Sequence, residues 1–97
     1  MITVHRNYFM HDHNHNKAHF QVNPVGHLDI DIIGRNKFYH CEFENVFFES
    51  HGEKTKVTGR EPGKRAWHVV LSTQDAAELT HLIEDAHEQF EVLMKDL

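Results

Sequence analysis

The sequence predicts an α+β fold: an antiparallel β-meander sheet of four to six strands, then one amphipathic C-terminal helix packed on one face. Three observations predict it. Apolar and polar side chains alternate with period two in several runs between residues 18 and 71. Gly, Pro and Asn separate those runs at short spacings, as turns between neighbouring antiparallel strands require. From Gln74 to about Asp96 there is neither Gly nor Pro, and apolar residues recur at steps of three and four.

Ile2 to Phe9 reads as an edge strand. Ala18-His19-Phe20-Gln21-Val22 alternates, and Asn23-Pro24-Val25-Gly26 follows it with turn residues. In His27 to Ile33, Leu28, Ile30 and Ile32 share one face while Asp29 and Asp31 take the other, the pattern of a half-buried strand. Gly34-Arg35-Asn36-Lys37 makes a second tight turn, and Phe38 to Phe43 sets Tyr39, Cys41 and Phe43 against Phe38, His40 and Glu42. Residues 44–50 fit either a continued strand or a new one. The stretch from His51 to Arg65, with Gly52, Gly59, Pro62 and Gly63, reads as loop or hairpin. Ala66 to Leu71 returns to strand. Ser72 or Thr73 can then cap the helix, with Asp75 near the positive end of its dipole. Ala76, Leu79, Ile83, Ala86, Phe90, Leu93 and Leu97 form its apolar stripe, widened by Leu82 and Met94. The expected organisation is a single domain, 1–97, with strands and loops over 1–72 and the helix over 73–97.

The chain has 97 residues and a net charge of −5, with 39% hydrophobic and 26% charged residues, a globular composition. No apolar run approaches the roughly 20 residues that span a bilayer. The start of the chain lacks the apolar block of a secretory signal, and Cys41 has no second cysteine to pair with. A cytoplasmic, non-membrane protein is therefore expected. Charge is segregated. Lys54, Lys56, Arg60, Lys64 and Arg65 stand against Glu61 alone in residues 54–74, whereas residues 75–97 hold seven acidic side chains against Lys95.

Three groups of residues could bear chemistry. His11, His13 and His15 alternate and His19 follows four residues on. Imidazoles at i, i+2 and i+4 of an extended chain point the same way and could share a zinc or nickel ion. That cluster is the one place where a cofactor is expected. The basic segment Lys54, Lys56, Arg60, Lys64 and Arg65, with Trp67 as a stacking face, is a nucleic-acid-binding candidate. Glu78, Asp85 and Glu88 on the helix are candidates for contact with a protein partner. Asp29 and Asp31 read as the wet side of an amphipathic strand, and Cys41 among Tyr39 and Phe43 as a buried thiol. No nucleophile elbow, phosphate-binding Gly loop or dinucleotide fingerprint is present, so no catalytic residue is assigned and an enzyme is not expected.

Residues 62–97 resemble the tail of the positive-cofactor-four coactivators and of the purine-rich-element-binding, whirly-like single-strand binders. The features in common are Pro62-Gly63-Lys64-Arg65, the strand ending at Leu71, the Ser72-Thr73 cap and the helix. The resemblance implies a curved four-stranded sheet with one terminal helix, single-stranded nucleic acid as ligand and dimeric assembly. A pleckstrin-like barrel closed by a C-terminal helix accommodates the same string of elements. The sequence as a whole favours a small, non-enzymatic binding or inhibitory accessory protein that occupies a macromolecular partner's surface. A protein partner comes first; the alternatives are single-stranded nucleic acid at 54–65 and metal at 11–19, with a homodimer as a further expectation.

Overall fold

The computed structural model describes residues 2–11 and 16–95. Seven antiparallel strands precede one helix: β1 Val4–Phe9, β2 Lys17–Asn23, β3 His27–Ile32, β4 Lys37–Glu42, β5 Val46–His51, β6 Lys54–Gly59, β7 Trp67–Ser72 and α1 Thr73–Lys95. A single 3-10 turn, Phe43–Asn45, joins β4 to β5. The α+β class and the helix packed against sheet agree with the sequence. Among the described residues the strands number seven, however, not four to six, and they form two meanders in place of one. One sheet has the order β1-β2-β3-β4 and the other β5-β6-β7. β7 thus ends a three-stranded sheet, where the resemblance to single-strand binders implies four strands.

The four-stranded sheet follows from its alternation. Ala18, Phe20 and Val22 of β2 and Leu28, Ile30 and Ile32 of β3 are all buried. A slip of one residue would turn every one of these side chains to solvent, so the register is strongly fixed. Asn23 shapes the β2–β3 turn by accepting a hydrogen bond from the Val25 amide at 2.9 Å, and Gly26 completes it at φ 128°.

β6 takes the hairpin form of the loop-or-hairpin reading of 51–65, pairing with β5 across a turn at Gly52 and Glu53, although its composition marks it weakly. Its inward positions are Thr55, Val57 and Gly59, only one of them a strong apolar signal. The Thr55 hydroxyl is buried without cost because it lies 2.9 Å from the Ser50 hydroxyl and 3.0 Å from that of Thr73. Gly59 is required by its neighbour. A β-carbon there would overlap the indole of Trp67, its partner across β6 and β7.

α1 closes the core between the two sheets, packing on β2, β6 and β7. Ser72 is its N-cap, accepting from the Asp75 amide at 3.0 Å, while Thr73 donates its hydroxyl to the Gly52 carbonyl at 3.0 Å. Leu79 is wholly buried beside Ala76 and Ala86. Tyr8 of β1, also buried, donates its hydroxyl to Glu78 at 2.5 Å, and Arg6 lies 3.4 Å from the same carboxylate. Ile83 and Phe90 are half-buried, and residues 91–95 are all exposed. At about 1.5 Å per residue α1 is roughly 35 Å long, so its last turns reach past the core within a molecule 47 Å in its longest dimension.

Candidate metal centre on the four-stranded sheet

The alternation that buries Leu28, Ile30 and Ile32 sends His27, Asp29 and Asp31 to the outer face of the sheet. The four-residue β3–β4 turn then sets the register: Asp29 pairs across with His40 and His27 with Glu42. His40 Nδ1 lies 2.6 Å from Asp29 Oδ1, and His27 Nε2 lies 3.5 Å from Asp29 Oδ2. The two imidazole rings stand 4.7 Å apart, tilted by 45°. On the far side of His40, Nε2 faces Glu42 Oε1 at 3.9 Å. The Asp29 side chain is 17% exposed and that of His40 40%, so the group is reachable from solvent yet seated in the sheet. Among the described residues, His27, Asp29 and His40 are the one set of three or more ligand side chains within 4.8 Å of one another. They can coordinate a metal ion such as zinc or nickel.

A second histidine pair, on β1 and β2, lies on the same outer face, with His19 opposite Asp31 of β3. His5 Nδ1 and His19 Nε2 are 3.1 Å apart, and the other nitrogen of His19 is 2.7 Å from Asn7 Oδ1. His19 is therefore engaged with β1 residues. His11 follows the end of β1, exposed, with its amide donated to Val70 of β7 at 2.8 Å. His13 and His15 lie outside the described residues. The metal-capable cluster thus comes from other histidines than the 11–19 run. Its members are separated in sequence by the β3–β4 turn; alternation marks each as outward, and the β3–β4 register joins them.

The basic residues do not share one loop. Lys54 and Lys56 stand on β6, while Arg60, Lys64 and Arg65 lie in the connection to β7. Lys56 faces Glu49 at 4.0 Å, Lys64 pairs with Glu61 at 2.9 Å, and Arg60 sits over the Phe47 ring. The Lys64 ammonium is the first cause holding the Glu61 carboxyl below its ordinary pKa, aided by the Glu42 amide. Trp67 is half-buried and stacks on Tyr39 at 5.1 Å, with their rings 9° from parallel.

On the helix, Glu78 is held by Tyr8 and Arg6, Asp85 faces His81 at 3.6 Å, and Glu88 is exposed. Burial first, and the Glu61 carboxylate second, push the Cys41 thiol up to about 11, which leaves it protonated and a poor nucleophile at neutral pH. Burial likewise raises the Tyr8 phenol, with the Glu78 hydrogen bond adding to it. No helix of the described residues is long and apolar enough to cross a membrane. Comparison with protein-family models and with curated proteins returns no match.

Proposed function

We propose that this chain is a non-enzymatic, cytoplasmic binding protein that occupies a protein partner's surface with the outward half of α1. The observation that carries the reading is the overhang. Val92, Leu93 and Met94 are 55%, 46% and 50% exposed beyond the core, and Phe90 borders a cleft of about 240 Å³ with Val25 and Phe43. An amphipathic helix end of this kind seats in an apolar groove of another protein through anchors three and four residues apart. Glu84, Asp85, Glu88 and Glu91 flank the stripe, so the groove that suits it is rimmed by Lys and Arg. Glu78 contacts Tyr8 and Arg6 but keeps half of its side chain exposed, at the inner end of the helix. Two copies meeting through these helices would bring like charges together, which favours a different protein over a homodimer.

The test is native co-purification of the unaltered chain beside two double variants, Phe90→Glu with Leu93→Glu and Asp85→Lys with Glu88→Lys. One identified protein should be captured by the parent and lost from both variants, with the parent's capture weakened by salt. Retention of that protein by both variants overturns the reading. The nucleic-acid alternative has Lys56 and Lys64 already facing carboxylates of the same chain. It requires salt-sensitive retention of single-stranded oligonucleotide that disappears when Lys54, Arg60 and Arg65 are neutralised.

A further inference from the structure

We propose that the outer face of the β3–β4 hairpin holds one divalent transition-metal ion through His27 Nε2, an Asp29 carboxylate oxygen and His40 Nδ1. Glu42 acts as a positioning residue on the far nitrogen of His40. The site is separate from the helix surface above and stands or falls without it.

The three side chains stand close to the spacing that a shared metal ion requires. With ligand bonds of about 2.0–2.1 Å, two ligand atoms on a tetrahedral zinc ion lie about 3.3 Å apart. His27 Nε2 lies 3.5 Å from Asp29 Oδ2, close to that spacing. His40 Nδ1 is hydrogen-bonded to the other oxygen, Oδ1, at 2.6 Å, a contact in which the ion takes the place of the proton as the two atoms part by about 0.7 Å. No strand need move, because the ladder already places Asp29 opposite His40. Sites built on strands hold their geometry better than sites built on loops.

The donor set selects the metal. Two imidazoles and one carboxylate suit zinc, nickel and copper, whereas calcium and magnesium take oxygen ligands. Use of Nδ1 as the ligand leaves the proton of His40 on Nε2, aimed at Glu42 Oε1 3.9 Å away. At that distance the carboxylate acts through its charge and not through a hydrogen bond, favouring the proton on Nε2 and strengthening the imidazole as a donor. The fourth position opens to solvent, where water or a donor atom from another molecule completes the shell.

The experiment uses tag-free, chelator-stripped chain titrated with Zn²⁺ by calorimetry and with Co²⁺ by absorption, the latter reporting tetrahedral geometry. One equivalent should bind, with a tetrahedral Co²⁺ spectrum. Asp29→Asn and His40→Ala should each weaken binding about 100-fold or more. Glu42→Gln should weaken it about 10- to 100-fold while keeping one equivalent and the tetrahedral spectrum. A triple variant, His11→Ala with His13→Ala and His15→Ala, should bind as the parent does. Circular dichroism establishes that each variant is folded. The proposal is overturned by absence of binding, by binding that survives both Asp29→Asn and His40→Ala, or by loss confined to the triple variant. An unchanged affinity in Glu42→Gln removes Glu42 from the site.

Discussion

Raising the pH should loosen this fold through a single thiol. Cys41 is wholly buried on β4, and its pKa rises from an ordinary 9.0 to about 11, chiefly through burial. An unfolded chain begins to ionise that thiol near pH 9, while the folded chain keeps it protonated until about pH 11. The folded pKa is the higher one, so the stability from the neutral thiol is complete below pH 9. It drains away as pH rises through that window. At pH 10 the loss is about 1.4 kcal/mol, one pKa unit's worth. For a domain of this size that lowers Tm by roughly 6–11 °C. Urea midpoints measured from pH 8 to pH 10 on the parent and on Cys41→Ala give the test. The variant should start about 1 kcal/mol less stable, having lost a small buried side chain, and then fall less steeply. Tyr8 does not enter the comparison, since its phenol, raised in the fold from an ordinary 10.0, costs parent and variant the same amount, about 0.4 kcal/mol at pH 10. Two curves that fall in parallel would refute the reasoning, because the thiol would then meet the same surroundings folded and unfolded.

Two further outcomes follow from packing. Gly59→Ala should cost about 1–3 kcal/mol in urea unfolding and red-shift the fluorescence of Trp67, as the new methyl pushes the indole off Tyr39; an unshifted spectrum contradicts the close approach. Leu79→Ala should cost about 3 kcal/mol and Leu93→Ala less than about 0.5 kcal/mol, since the first lies wholly in the core and the second beyond it. Equal costs at the two positions would place the helix end inside the core after all.

Legibility in the sequence tracked how strongly each face was marked. β2, β3 and the helix were readable because every inward residue but Ala18 is a large apolar one or lies on a long stripe. β6 reads less sharply, as loop or hairpin, because a threonine and a glycine take inward positions that carry no strong hydrophobic signal. The division into two sheets was equally hidden, since alternation says which way a side chain points and nothing about which strand lies next to it. The same limit governed the metal-capable cluster. His27, Asp29 and His40 were each readable as outward residues, yet only the β3–β4 register makes them neighbours. The local repeat at 11–15 drew attention by its spacing, whereas ligands drawn from paired strands leave no such repeat.

Serine, threonine and glycine groups clamp α1 at its origin, and no comparable anchor grips residues 91–95. The rod is thus a cantilever. Any load applied at its tip turns about Ser72 and Thr73 and is resisted next by Ala86 and Ile83. A guest that draws the tip outward has to prise those two from the interior, so its grip and the integrity of the interior oppose each other. A guest that presses the tip inward instead bears on the cleft that Phe90 shares with Val25 and Phe43.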